Sequence, residues 1–324
     1  MTAPETMPDG SGNRVLGTAR TEAERRVERV LASIVPWQRC SMGYAPVAGG
    51  LSNSNWRISV DGSDRRYFLK IPGEGTDEFV DRAVANEAAR RAGELGIGPE
   101  VVYFDQDTGV EVIEFLEGYR ACTNGDFKDP DVPRQIVDIY RILHGGNLLS
   151  TTKTVFDMID EHLEGVAEHG VRLPADFELM LAEYQVAKSA LLASGLELVA
   201  CHNDPMPGNF LVAHGKPMKM VDFEFASNNE RAYELAVLTT EMFYGEQLTM
   251  ELIEEFYGSF DFAKAARVQV CGALADVKWG LWACLKQKLN TEWSFDYHKY
   301  GCWKLARARL KMSDPRWPFW LKAL

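Results

Sequence analysis

The chain has 324 residues, 46% of them hydrophobic and 25% charged, with a formal net charge of −12. That length supports one large domain or two lobes with a proper core. The acidic balance argues against a general nucleic-acid binder, which would carry a basic surface, and suits a small cationic partner.

The start, "MTAPETMPDGSGNR", has no charged-then-apolar signal pattern and reads, over residues 1–20, as a disordered tail. Thr21 and Glu24 form a capping box, and Val27, Val30, Leu31 and Ile34 follow at helical spacing. Trp56, Ile58 and Val60 alternate with polar residues, as do Tyr67, Leu69 and Ile71 beyond a "DGSD" turn. This predicts a β-hairpin with one buried face. "DEFVDRAVANEAARRAGEL" predicts a helix that stops among glycines; "PEVVYFD" and "GVEVIEFLEG" predict a second antiparallel pair.

After residue 117 the pattern changes. "RQIVDIYRILHGG" and "DFELMLAEYQVAKSALLASG" are helical, and "LELVA" approaches as a strand. Two short strands, "FLV" and "MKMV", follow; after "FEFASNNERAYELAVLTTEMFYG" the chain reads as helical nearly to its end. The expectation is an α+β, bilobal protein: a small antiparallel β-sheet lobe over 21–117 and a larger, mostly α-helical lobe over 118–324, with a cleft between them. The cysteines Cys40, Cys122, Cys201, Cys271, Cys284 and Cys302 form no C-x-x-C pair, which suits a reduced cytoplasmic protein. No apolar run is long enough to span a bilayer, so no integral membrane contact is expected, and a homodimer is left open.

The chemistry concentrates in "CHNDPMPGNFLVAHGKPMKMVDFEF". His202, Asp204, Asn209 and Asp222 stand at the mouths of the two short strands. Turn formers gather in any loop, so the spacing alone also fits a solvated turn. Asn209 offers an amide oxygen and Asp222 a carboxylate, a donor pair that suits Mg²⁺. Asp204 is then left as the base or orienting group for an attacking hydroxyl, and phosphoryl transfer asks for little more than such positioning and charge neutralisation.

Several stretches together carry a resemblance. "HNDPMPGNFLV" resembles the catalytic loop of the choline/ethanolamine kinase family, within the wider group of aminoglycoside-phosphotransferase-like small-molecule kinases. "VDFEFASNNERAYELA" is similar to that family's metal-binding segment, and "WGLWACLKQ" followed by "FDYHKYGCWKLAR" to its substrate-side helices. The likeness runs over most of the chain from about residue 45. It implies a kinase-like fold and an ATP- and Mg²⁺-dependent kinase of a small amino alcohol, choline first and ethanolamine second.

The resemblance also implies residue roles. Gly49, Gly50, Ser52 and Asn53 match the nucleotide loop, although it is not a G-x-G-x-x-G loop. Lys70 matches the lysine on the α/β-phosphates, Glu87 the glutamate that orients it, and Glu114 to Leu116 the hinge that meets adenine. Trp279, Trp282 and Tyr300 match aromatics that enclose an ammonium head, with Glu241 a carboxylate beside them and Glu224, the last residue of "DFE", and Phe225 after it on the substrate side. Tryptophans three apart on one helix face also fit simple core packing.

The chain departs from the family at Phe225, where tyrosine is typical, at Glu234, where aspartate is frequent, and at "SNN", which lacks a middle aromatic. An aminoglycoside or thiamine kinase of the same fold is the nearest alternative. The aromatic pair, in place of many carboxylates, favours a single ammonium over a polycation. A non-catalytic nucleotide-binding module would be expected to lack the base or a metal ligand, and all three are present. "HND" and "DFE" in place of H-R-D and D-F-G disfavour a protein kinase.

Overall fold

The computed structural model describes residues 14–47, 53–73, 80–289 and 295–324. The chain divides into two compact units, Met1–Tyr119 and Arg120–Leu324. The division falls two residues beyond the boundary expected from the sequence.

The first unit holds β1 (Arg14–Val15), α1 (Glu22–Ser33), β2 (Met42–Pro46), β3 (Asn53–Val60), β4 (Arg66–Pro72), α2 (Arg82–Glu94), β5 (Val101–Phe104) and β6 (Glu111–Glu114). Its strands form one sheet in the order β1-β2-β3-β4-β6-β5, and every neighbouring pair is antiparallel. The capping box of α1 is reciprocal: Glu24 N–H donates to Thr21 Oγ1 at 3.2 Å and Thr21 N–H to Glu24 Oε2 at 2.9 Å. Val27 and Leu31 of α1 pack with Trp56, Ile58, Leu69 and Ile71 in the core. The alternation along β3 and β4 therefore reports the buried face of the sheet.

Two expectations are corrected here. The stretch 1–20 is not wholly a tail, because Arg14 and Val15 pair with Tyr44 and Gly43, and Arg14 Nε bonds Glu24 Oε1 at 3.0 Å. Among the described residues the helix expected from Asp77 begins at Arg82, because the Asp81 carboxylate accepts the N–H groups of Ala83 and Val84 and so caps it; residues 77–79 lie outside the described residues.

The second unit holds β7 (Arg120–Ala121), α3 (Asp131–His144), α4 (Val155–Glu168), α5 (Phe177–Ser194), β8 (Leu198–Cys201), β9 (Phe210–Ala213), β10 (Lys216–Met220), β11 (Ser227–Glu230), α6 (Arg231–Glu241), α7 (Glu246–Tyr257), α8 (Phe262–Leu289), α9 (Tyr297–Met312) and α10 (Trp317–Lys322). Two small antiparallel sheets, β10-β9-β7 and β11-β8, interrupt the helices. α8 is buried on nearly every side and packs against α4, α6, α9 and α10. A helix that is covered all round needs no polar face. No described helix is long and apolar enough to cross a membrane.

The "SNN" segment lies in β11, a strand the sequence pattern does not announce. Ser227 to Glu230 lie fully buried opposite Cys201 to Leu198 of β8. Their side chains serve as hydrogen-bonding braces. Asn228 both accepts from Leu149 N–H at 2.7 Å and donates to Leu149 O at 2.9 Å. Asn229 accepts from Val155 N–H at 3.0 Å, at the start of α4. Buried polar side chains of this kind persist because every donor and acceptor finds a partner.

Candidate active site

β8 delivers the chain into His202, Asn203 and Asp204. Asn209 stands at the entry to the β9–β10 hairpin, and Asp222 follows its exit. Val221 N–H donates to Asn209 O at 2.9 Å, so the two ends of the hairpin are held side by side. The fold thus brings Asn209 and Asp222 together, as the spacing suggested.

The loop is braced from below. His202 N–H and Asn203 N–H donate to the two carboxylate oxygens of Glu234, on α6, at 2.6 and 3.0 Å. Burial pushes the Glu234 carboxyl up, but His144, His202 and the Asn203 N–H outweigh it and hold the group below its ordinary value. Asn203 has φ 66°, in the left-handed region. Its side chain secures that turn by donating to Phe225 O and Ser227 Oγ, both at 2.9 Å, and accepting from Asn229 Nδ2 at 3.0 Å. His202 spans loop and hairpin: Nδ1 accepts Asp204 N–H at 3.3 Å, which assigns the proton to Nε2, donated to Val221 O at 2.9 Å. Both ring nitrogens are engaged with backbone.

Asp204 is half-buried, and Asn209 Nδ2 donates to its Oδ2 and to its carbonyl, each at 3.0 Å. Burial, and then the neighbouring Asp222 charge, push its carboxyl up to about 6, against the pull of His202 and Lys278. Asn209 spends its amide nitrogen on Asp204, which turns its Oδ1 away from that carboxylate. With the exposed carboxylate of Asp222 this makes an all-oxygen donor set, the chemistry that fits Mg²⁺. A second cluster, His144, Cys201 and Glu234, lies within 4.8 Å. It does not fit a metal: burial holds the Cys201 thiol protonated, and Glu234 is committed to the loop.

Four residues expected on the acceptor side form a contiguous aromatic group. Phe225 and Trp279 lie 5.3 Å apart by ring centroids, Trp279 and Trp282 5.3 Å, and Trp282 and Tyr300 6.4 Å. Tyr297 joins it 5.5 Å from Trp282, and Phe295 bridges Tyr297 and Tyr300. Glu224 is half-buried in the turn beyond Asp222. Glu241 is ion-paired to Lys304, whose Nζ also stands 3.7 Å from Asp276 and 5.1 Å from the Tyr300 ring centroid. Sequence reasoning missed Phe295, Tyr297, Lys304 and above all Lys278. The Lys278 Nζ lies 3.0 Å from the Trp279 ring centroid and 4.7 Å from that of Phe225. Lys278 lies one residue before Trp279 in the sequence, which gives no sign that its amine turns onto the rings.

In the first unit Lys70, on β4, stands opposite Asn55 of β3 and Glu111 of β6, and Asn53 begins β3 opposite Pro72. Glu87 lies half-buried on α2 and accepts from Arg91 at 3.0 Å. Glu114 N–H is taken by Glu100 O at 2.8 Å, whereas Leu116 N–H makes no hydrogen bond among the described residues. Gly49, Gly50 and Ser52 lie outside the described residues.

An antiparallel sheet unit with a strand lysine, followed by a helical unit that sets Asp, Asn and Asp about one hairpin, defines a small-molecule kinase with a kinase-like α+β fold. The model of the choline/ethanolamine kinase family matches residues 44–254, and the chain belongs to that family. It is 24% identical over 289 residues to probable choline kinase 2 of Arabidopsis thaliana, covering 79% of this chain and 81% of the relative. The crystal structure of a choline/ethanolamine kinase family protein from Mesorhizobium loti superposes with a TM-score of 0.78 at 28% identity, over 93% of this chain and 98% of the other. The choline kinase LicA from Streptococcus pneumoniae superposes with a TM-score of 0.72 at 19% identity, over 90% and 99% of the two chains.

Proposed function

We propose that the chain transfers the γ-phosphoryl group of ATP to the hydroxyl of a small amino alcohol, choline or ethanolamine. The observation that carries the reading is Asp204, held by Asn209 Nδ2 at the hairpin mouth with a carboxyl pushed up to about 6. Such a group is ionised at neutral pH, yet basic enough to take a proton. Family membership supports the acceptor class.

Asp204 accepts the hydroxyl proton while the acceptor oxygen bonds to the γ-phosphorus and the bond from that phosphorus to the ADP oxygen breaks. Asn209 Oδ1 and the Asp222 carboxylate would hold Mg²⁺. When bound, the metal supplies neutralisation of the charge that develops on the phosphates. Lys70 holds the α/β-phosphates with Glu87 behind it, Gly49, Gly50, Ser52 and Asn53 are assigned to phosphate binding by the family resemblance, and Glu114 and Leu116 meet adenine through the backbone. Phe225, Trp279, Trp282 and Tyr300, with Glu224 and Glu241, form the acceptor side. The free state of all six cysteines supports a reduced, cytoplasmic setting.

The test is ADP formation from ATP and Mg²⁺ with choline, ethanolamine, thiamine and an aminoglycoside offered in turn. Turnover that depends on choline or ethanolamine is expected, falling by about 10²-fold or more in Asp204→Asn. Full turnover by a folded Asp204→Asn protein would remove Asp204 from the chemistry.

A further inference from the structure

Lys278 is fully buried in α8, and its Nζ makes no hydrogen bond among the described residues. An ammonium in that position is costly unless something replaces its water. The replacements present are two aromatic faces, Trp279 at 3.0 Å and Phe225 at 4.7 Å. Cation–π attraction strengthens as water is excluded. The charge of Asp204 adds to the attraction, Lys153 and Lys304 oppose it, and burial holds the amine well below its ordinary value.

These are the same rings that would receive a substrate ammonium. We infer that Lys278 is a specificity-determining residue whose amine occupies the aromatic seat, so that a quaternary ammonium enters only by displacing it. The inference rests on the reading of this aromatic group as the acceptor side. A substrate ammonium cannot lie on the ring faces that the Lys278 amine already covers, at 3.0 Å from the Trp279 centroid and 4.7 Å from that of Phe225. Choline is penalised most, since its trimethylated nitrogen donates no hydrogen bond and depends on aromatic faces. Ethanolamine, with three N–H donors, turns instead to oxygen acceptors and is penalised less. The second ammonium of the group, Lys304, engages Glu241 and leaves the Trp279 and Phe225 faces to Lys278.

The test compares wild type with Lys278→Met, an uncharged chain of similar length. The ratio of kcat/KM for choline to that for ethanolamine should shift toward choline by about tenfold or more, with KM for ATP unchanged. An unchanged ratio, or a shift toward ethanolamine, overturns the inference. Tetramethylammonium, which has no hydroxyl, separates this inference from the kinase reading. Its binding, followed by tryptophan fluorescence, should be about tenfold tighter or more in Lys278→Met, whether or not any acceptor is phosphorylated. Equal binding alongside normal turnover would sink the inference and spare the kinase. Should the variant fail to fold, lysine-labelled wild type provides the readout. The Lys278 ε-methylene resonance, shifted by the Trp279 ring, should move to an ordinary position as tetramethylammonium is added. A resonance that stays in place while the bound probe changes the tryptophan fluorescence overturns the proposal.

Discussion

Asp204, the proposed base, is held by the fold at a cost to stability. Its carboxyl is raised from an ordinary 3.8 to about 6 in the folded protein. A raised carboxyl favours the folded state while protonated, below the ordinary value, and that contribution is lost as pH rises through about 6. At neutral pH the ionised, half-buried group therefore destabilises the protein. Two pH units correspond to at most roughly 3 kcal/mol, reduced by partial exposure. Asp204→Asn removes the charge and keeps the shape, so the variant should melt at a higher temperature than wild type at pH 7–8, measured without ATP or metal. The gap should close below about pH 4. A gap that does not vary with pH would show that the raised carboxyl is not its source.

At the same scale, the sequence singled out some residues of the candidate site and hid others. Asp204, Asn209 and Asp222 stood out because oxygen donors at strand mouths have a chemistry that packing does not require. Glu234 was noticed only as a departure, because its use as an acceptor for two loop N–H groups depends on where α6 docks. Lys278 was hidden for a related reason: its neighbours in space, Phe225 and Asp204, are more than fifty residues away along the chain.

Among the elements, α8 and α9 position the aromatic group, and their approach rests on glycine. A Cβ at Gly280 would stand 2.7 Å from both Cγ and Cδ2 of Leu305 on α9. Gly301, on α9, faces Ala283 Cβ at 3.2 Å in turn. Alanine for glycine inside a helix ordinarily gains about 1 kcal/mol. Here overpacking costs about 1–3 kcal/mol and opposes that gain. Gly280→Ala should lower the melting temperature and, because α9 carries Tyr300, raise KM for the amine while leaving KM for ATP alone. A higher melting temperature with unchanged KM would show that the helices do not depend on this close approach. Elements with a strong hydrophobic period, such as β3 and α3, were legible from sequence. β11 was not, because its four buried residues are polar and owe their conformation to partners on other segments. α4 was missed although its Thr154 and Asp157 form a reciprocal capping box, a signal present in "TVFD".

For the whole molecule, the two-part pattern was legible because an alternating, strand-rich segment gives way to a helical one, and each unit keeps its own core. The net charge of −12 accords with a cationic acceptor, although charge alone does not select one. The central claim is phosphoryl transfer to an amino alcohol at Asp204. The most direct measurement is a ³¹P spectrum of wild type and Asp204→Asn incubated with ATP, Mg²⁺ and an equal mixture of choline and ethanolamine. The account predicts a phosphomonoester resonance growing with ADP in wild type, and slowed by about 10²-fold or more in the variant. ATP converted to ADP and inorganic phosphate alone, or a phosphomonoester formed equally fast by both proteins, would contradict it.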